Sequence, residues 1–279
     1  MPYLIAVSLL WAFSPGLTKG LTTGLDPAFV AAARLGLALL VFLPFLRVRG
    51  LTTGLALRLA GIGAVQFGVM YLAYNASFRL LQAHEVALFT LTTPVLVTLL
   101  ADAFDRQFRT RALAAALLAV GGTAVLVFTG KELRPTVTGL LLVQLSNLAF
   151  AFGQIAYKRV RTQHPGLRDG AIFGLLYVGA FALTLPVALA RMDFSTFTLT
   201  STQATTLLYL GAIASGLGFF LWNKGATQAG TGTLAVMNNA KIPLMVACSL
   251  LFFGEYADIP RLAISLVLLT TAVWFAEKR

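Results

Sequence analysis

Cysteine, histidine and acid are scarce in this chain: one cysteine, two histidines and ten Asp or Glu residues among 279. Cys248 has no partner for an intramolecular disulfide and reads as a small residue facing lipid or a neighbouring helix. His84 and His164 lie far apart with no Cys/His spacing around them, which excludes the usual metal-ligand patterns. The acids are isolated and no loop has a glycine-rich phosphate cradle. An enzyme would therefore lack a nucleophile, acid and base to assemble, and no cofactor is expected. Charge as a whole makes up 11% of the residues, against about 25% in ordinary soluble domains.

What fills the chain instead is apolar. Hydrophobic residues are 58% of the total, in runs of about the 20 residues that a helix needs to cross a bilayer. Hydropathy and turn breaks predict ten runs, at 3–21, 27–46, 58–80, 84–103, 111–129, 138–157, 170–190, 204–223, 231–253 and 260–276. The first begins at Tyr3 without a basic leader and outlasts a signal-peptide core, so a retained helix is expected. The net charge of +11 comes from residues set between the runs rather than along one face. That points to topology and anionic lipid, not to nucleic acid. With the N-terminus placed in the cytoplasm, thirteen Lys and Arg fall on the cytoplasmic side and six outside, while Arg34 and Lys241 fall within spans. The positive-inside rule then predicts that both termini are cytoplasmic.

The two halves echo each other. "LLWAFSPGLTKG" at the end of the first run matches "NLAFAFGQIAYKR" in the sixth, pairing Lys19 with Lys158. "YLAYNASF" in the third matches "FFLWNKGA" in the eighth, pairing Asn75 with Asn223; Pro94 pairs with Pro243, and Pro44 with Pro186. Five helices is an odd number, so the second copy enters the membrane inverted, and such repeats place a substrate site near the midplane between them. The predicted fold is thus an all-α polytopic membrane protein, ten transmembrane helices as two inverted five-helix repeats. It forms a single membrane domain over 1–279, with repeats at 1–130 and 138–279.

In order and spacing, this pattern resembles the drug/metabolite transporter superfamily, specifically its ten-helix EamA type, over the full chain. The resemblance rests on "LLWAFSPGLTKG", on Arg34 in "FVAAARLGLALL", on "YLAYNASFRLLQAHEVAL", on Pro94 and Pro243, and on "LLFFGEYADIPRLA" after the ninth run. One departure is that the first-half counterpart of "FFGE" is "DAFDR", which leaves the role of Glu255 open. The resemblance implies an inner-membrane carrier of small metabolites with a central cavity. It favours export or exchange of amino acids and related compounds, with uptake of a nutrient or vitamin-like anion as the alternative. The expected partners are a small-molecule substrate and membrane lipid; a homodimer is left open.

Polar residues on one side of apolar helices mark the expected cavity. The sixth run offers Gln144, Asn147, Gln154 and Lys158 on one stripe; the third offers Tyr71, Tyr74 and Asn75. Trp11, Trp222, Asn238 and Lys241 complete the expected substrate-binding set, with Met245 on the face of Lys241. Pseudo-symmetry couples Tyr74 to Trp222. Asn and Gln at such positions also join helices by hydrogen bonds, so packing remains an alternative for each stripe. Pro94 and Pro243 are expected to break the fourth and ninth helices at similar depth, as bend points or sources of free carbonyls. Glu85 and His84 are candidates for coupling. Arg34, seven residues into the second run, either snorkels outward, holds carbonyls or takes part in gating. Lys158 and Lys19 are expected to snorkel.

Lys241 is the sharpest candidate. It stands about 16 Å of helix rise inside its span with no acid at the same depth, and insertion of such a charge costs roughly 2.5–3.5 kcal/mol. It is expected to bind the substrate's negative group; a neutral lysine bonded to Asn238 or a carbonyl near Pro94 is the alternative.

The charge partition makes a direct prediction. In a Cys248→Ala background, a cysteine introduced at Arg161 reacts with an impermeant maleimide in inverted vesicles and stays unlabelled in intact cells. Labelling from outside intact cells overturns the topology.

Overall fold

The computed structural model describes residues 2–11, 14–128, 135–193, 195, 197–253 and 258–277; side chains at 15, 16, 19, 23, 83, 84 and 244–253 are outside that description. Expectations for Lys19, His84, Met245, Cys248 and Glu255 therefore lie outside the described side chains. The described secondary structure is entirely helical and follows the order of the ten predicted runs. Helix α1 is seen as Pro2–Leu10 and Ser14–Gly24, α2 runs from Pro27 to Phe45, and α3 covers Thr53–Ser77. Helix α4 comes in two pieces, Ala83–Thr90 and Thr93–Asp105. Then follow α5 (Thr110–Val127), α6 (Val137–Gln163), α7 (Asp169–Arg191), α8 (Ser201–Gln228), α9 (Thr231–Phe253) and α10 (Ile259–Glu277). Among the described residues, eight of these, α2 to α8 and α10, are long and apolar enough to cross a membrane. The protein is a polytopic membrane protein.

Several helices outrun the predicted spans. Helix α6 continues past 157 through Lys158, Arg159 and Arg161 to Gln163, and α3 starts at Thr53 rather than 58. Hydropathy marks where lipid ends, whereas the backbone ladder runs on until a cap or turn stops it. The starts are set by side chains. Asp26 accepts from the backbone N–H of Ala28 at 2.7 Å with Pro27 in the first turn, and Thr52 and Thr136 cap α3 and α6.

Two faces of the bundle can be told apart by their contacts. On one, Arg58 reaches Gln163 (3.0 Å), the N–H of Arg47 reaches the carbonyl of Ala171 (2.9 Å), Arg159 pairs with Asp105, and Thr233 meets Glu277 (3.5 Å). Both chain ends approach this face, called here the terminal face, where Lys224 lies over the ring of Tyr3. On the opposite face Asp26 draws together Arg79 (3.4 Å) and Arg191 (3.7 Å). Leu40, Leu57, Leu117, Leu141 and Val267 point outward, as a lipid-facing surface requires.

Helix α7 packs along α2 and α3, and α10 packs on α5 and α9 at the periphery. The α3–α7 crossing is unusually close. A Cβ on Gly63 would lie 1.9 Å from the carbonyl oxygen of Leu176, and one on Gly179 would lie 1.9 Å from that of Ala60. Hydrocarbon gives helices no hydrophobic reason to associate, so close backbone approach at small residues supplies the contact instead. Gly61 and Gly121, which also lie inside spans, meet nothing within 4 Å.

Three irregularities shape the interior. Helix α3 widens to i→i+5 bonding over Ala64–Val69 and α8 does so over Tyr209–Leu217, features invisible to hydropathy. Helix α4 is interrupted at Leu91–Thr92, next to Pro94, as expected. The counterpart expectation fails: α9 continues through Pro243 to Phe253 without a break. Proline removes one N–H and crowds one carbonyl, and a gently distorted helix accommodates both unless neighbours exploit the freed groups.

The crossing supplies a test of packing. Gly63→Leu or Gly179→Leu is expected to cost more than the roughly 1–3 kcal/mol of ordinary overpacking, because the obstacle is backbone. Gly61→Ala should be neutral. Size-exclusion profiles and melting temperatures of the purified variants check this; a monodisperse Gly63→Leu melting with the parent contradicts it.

Candidate functional site

The break in α4 builds one wall of the site. Pro94 has no N–H, so the carbonyl of Thr90 loses its helical donor, and the Thr93 hydroxyl donates to it at 2.7 Å. The carbonyl of Phe89 accepts from the side-chain amides of Gln144 (3.1 Å) and Asn147 (2.9 Å), and that of Leu91 accepts from Asn239 (3.0 Å). Thr92 donates to Gln144 Oε1 at 2.8 Å and accepts from Asn147 at 3.1 Å. Amides from α6 and α9 thus replace the missing ladder. Gln144 is engaged in this clasp and does not line the cavity beside it.

The widened stretch of α8 builds the facing wall. Its freed carbonyls take Trp11 Nε1 at Ala214 (2.7 Å) and the Tyr177 hydroxyl at Ser215 (2.8 Å) and Gly216 (2.7 Å). The Ser215 hydroxyl donates five residues back to Leu210 (2.7 Å), accepts from Arg34 Nε (3.0 Å) and lies 2.9 Å from the Tyr71 hydroxyl. Ser215 carries no signal in the sequence, because it sits in a run of small residues with no charge nearby.

Between these walls lies a cavity of about 280 Å³ lined from α1, α2, α3, α4, α6, α8 and α9. Trp11, Tyr71, Tyr74, Asn147 and Lys241 of the expected set line it, joined by Arg34, Ser146, Phe150 and Phe219. Two of these residues are cations, and among the described lining residues there is no carboxylate. Arg34 is only 2% exposed. It neither snorkels nor holds carbonyls: its guanidinium bonds Thr18 (2.8 Å) and Ser215, and stacks 4.4 Å from the centre of the Tyr71 ring. Lys241 sits 5.3 Å from the Trp11 ring centre and 5.8 Å from that of Phe150, and is hydrogen-bonded to none of the described residues, Asn238 included. Aromatic faces attract a cation but offer it no hydrogen-bond acceptor of the strength of a carboxylate.

The cavity reaches from the level of Trp11, Phe150 and Lys241 toward the face opposite the termini, where Phe78 and Val86 line it. On its other side three more of the expected residues, Gln154, Trp222 and Asn238, form a seal. Trp222 donates to Gln154 Oε1 at 3.1 Å, Asn238 donates to the same oxygen at 3.2 Å and to Leu234 at 2.8 Å, and Gln66 donates to Asn223 at 3.1 Å. Gln154, Trp222 and Asn238 are buried and do not line the cavity, so the coupling of Tyr74 to Trp222 at the site is not seen. Trp222 instead stacks beneath Trp11 with ring centres 5.2 Å apart. Nearer the terminal face, Lys158 does not snorkel but donates to the carbonyl of Ala229, while Arg109 and Arg159 converge on Asp105.

Two other candidates serve local structure. Asn75 donates to the carbonyl of Pro27 (3.1 Å), tying the end of α3 to the start of α2. Glu85 accepts from the backbone N–H of Gln82 (2.8 Å) in the capping box of α4 and is 3% exposed.

The chain matches the EamA-like transporter family over residues 1–128. It is 41% identical to the protein named "Probable biotin transporter" of Pseudomonas aeruginosa, across 98% of this chain and 96% of that one. It is 36% identical to the "Biotin transporter" of Escherichia coli K12, across 100% of this chain and 93% of that one, and 35% identical to its namesake in Salmonella typhimurium LT2, again across 100% and 93%. A crystal structure at 18% identity superposes with a TM-score of 0.79 over 99% of this chain and 96% of that one, and shares the fold. The chain belongs to the EamA-like transporter family of the drug/metabolite transporter superfamily, and it is a transporter rather than an enzyme.

Proposed function

We propose that this protein carries biotin into the cell across the bacterial inner membrane, by alternating access between two inverted five-helix repeats. The observation that carries the reading is a cavity with aromatic walls and two cations but no described carboxylate. Biotin has an apolar bicyclic body and one carboxylate, which suits such a lining. The full-length similarity to proteins named biotin transporter favours a vitamin anion over the amino-acid export that family resemblance alone suggests. The repeats are supported by the matched widened turns in α3 and α8.

Direction follows from topology. With both termini cytoplasmic, the cavity faces outward and the Gln154–Asn238–Trp222 seal faces the cytoplasm, so substrate loads from outside. Lys241 takes the carboxylate. Its three N–H groups meet no acceptor among the described residues, whereas Arg34 is already tethered to Thr18 and Ser215 and contributes mainly field. The α4 break at Pro94 is the bend that accompanies closure. Pro243, in an unbroken helix, has no such role.

Uptake of radiolabelled biotin by cells that lack their own biotin importer tests the function: saturable accumulation supports it, and its absence from a folded, inserted protein defeats it. Lys241→Gln should lower affinity about 10- to 100-fold, the worth of one charge-assisted hydrogen bond. Lys241→Arg should keep part of it, since charge survives while geometry changes. Unchanged affinity in Lys241→Gln makes the lysine structural.

A further inference from the structure

Hydrogen-bond accounting in the cavity singles out groups that the protein leaves unused. Buried hydroxyls on these helices donate to a carbonyl one turn back: Ser8 to Leu4 (2.8 Å), Thr98 to Pro94 (3.0 Å), Thr123 to Ala119 (2.7 Å) and Thr184 to Ala180 (3.0 Å). Ser146, only 3% exposed, is bonded to none of the described residues. The tyrosines of the interior are similarly engaged, Tyr71 with Ser215, Tyr157 with Asp169 and Tyr177 with two α8 carbonyls. The Tyr74 hydroxyl has no partner among the described residues. Asn147 must present Nδ2 to the carbonyl of Phe89, which can only accept, and that fixes the amide orientation. Its Oδ1 meets no donor among the described residues. All three residues line the cavity.

Four other polar atoms, Gln66 Oε1, Asn75 Oδ1, Asn239 Oδ1 and Ser265 Oγ, are buried without a partner among the described residues, but none of these residues lines the cavity; an unpartnered group that does line it keeps its hydrogen bond for a ligand or water. We propose that Ser146, Tyr74 and Asn147 recognise the cyclic urea of the substrate: the two hydroxyls donate to the urea oxygen, and Asn147 Oδ1 accepts from a urea N–H. The inference deepens, and rests on, the biotin reading above. The placement fits one ligand spanning both ends of the cavity. Ser146 stands one turn, a rise of about 6 Å, from Phe150, over which Lys241 lies, and a pentanoate arm bridges such a gap. The carboxylate then sits at Lys241 and the urea on the side of the cavity toward Phe78 and Val86.

Lipoate separates this inference from the reading beneath it, because it carries the same pentanoate arm on a sulfur heterocycle without a urea. The experiment measures biotin binding to the purified full-length protein calorimetrically and lipoate binding by competition. Ser146→Ala and Tyr74→Phe each remove one oxygen, and either alone decides the question if the other fails to fold. Each is expected to weaken biotin about three- to tenfold while changing lipoate by less than about twofold, so that selectivity falls. Lys241→Gln is expected to weaken both ligands by a similar factor. An unchanged biotin-to-lipoate ratio in both oxygen-deleting variants, or equal affinity of the wild type for the two ligands, overturns the urea site and leaves the carboxylate assignment standing. A wild type that binds neither ligand overturns the proposed function itself.

Discussion

Hydrocarbon offers no hydrogen bonds, and this structure is organised by that deficiency. A continuous helix satisfies its own backbone, so each departure from one must be met by a neighbour or by water in a cavity. The break in α4 exposes the carbonyls of Phe89, Thr90 and Leu91, which take donors from Gln144, Asn147, Thr93 and Asn239. The widened turn in α8 exposes those of Ala214, Ser215 and Gly216, which take Trp11 and Tyr177. The helices that border the cavity are therefore held at their irregular points by side chains from other helices, and any movement there must exchange those bonds for others.

Charge follows the same logic with larger stakes. Arg34 and Lys241 line one cavity, and each is costly to insert on its own, about 2.5–3.5 kcal/mol near the centre of a span. They are held in different ways. The planar, multidentate guanidinium of Arg34 is fixed by two hydroxyls and an aromatic face. The ammonium of Lys241, among the described residues, meets the faces of Trp11 and Phe150 and no hydrogen-bond acceptor.

The polar stripe of α6 shows how one helical face serves three purposes along its length. Gln144 clasps the α4 break, Asn147 shares that clasp and lines the cavity, and Gln154 closes the seal with Asn238 and Trp222. Phe150, between them, carries no polar signal at all and forms part of the cavity beneath Lys241. Nearer the terminal face, Lys158 and Arg159 complete the closure through Ala229 and Asp105. A stripe read from periodicity identifies the side that faces other helices, but not the partner that each residue meets.

Composition and periodicity were sufficient for the class of molecule. Runs of some twenty apolar residues have no other stable home, so the helix order followed from the chain alone. The inward turn of Lys241 was legible for the same reason: a charge deep in such a run turns toward the protein interior or a cavity. The break at Pro94 was legible because proline lacks an N–H. The continuity of α9 through Pro243 was not, since the same chemistry permits a break or a mild distortion, and only the neighbouring donors select between them. The widened turns, the approach of Gly63 and Gly179 to carbonyls of the facing helix, and the convergence of Arg34 with Ser215 join residues far apart in sequence. Local propensity carries no information about such contacts. Which polar side chains line the cavity and which seal it was decided by the geometry of several helices at once, because a buried donor is met only where a neighbouring helix presents an acceptor.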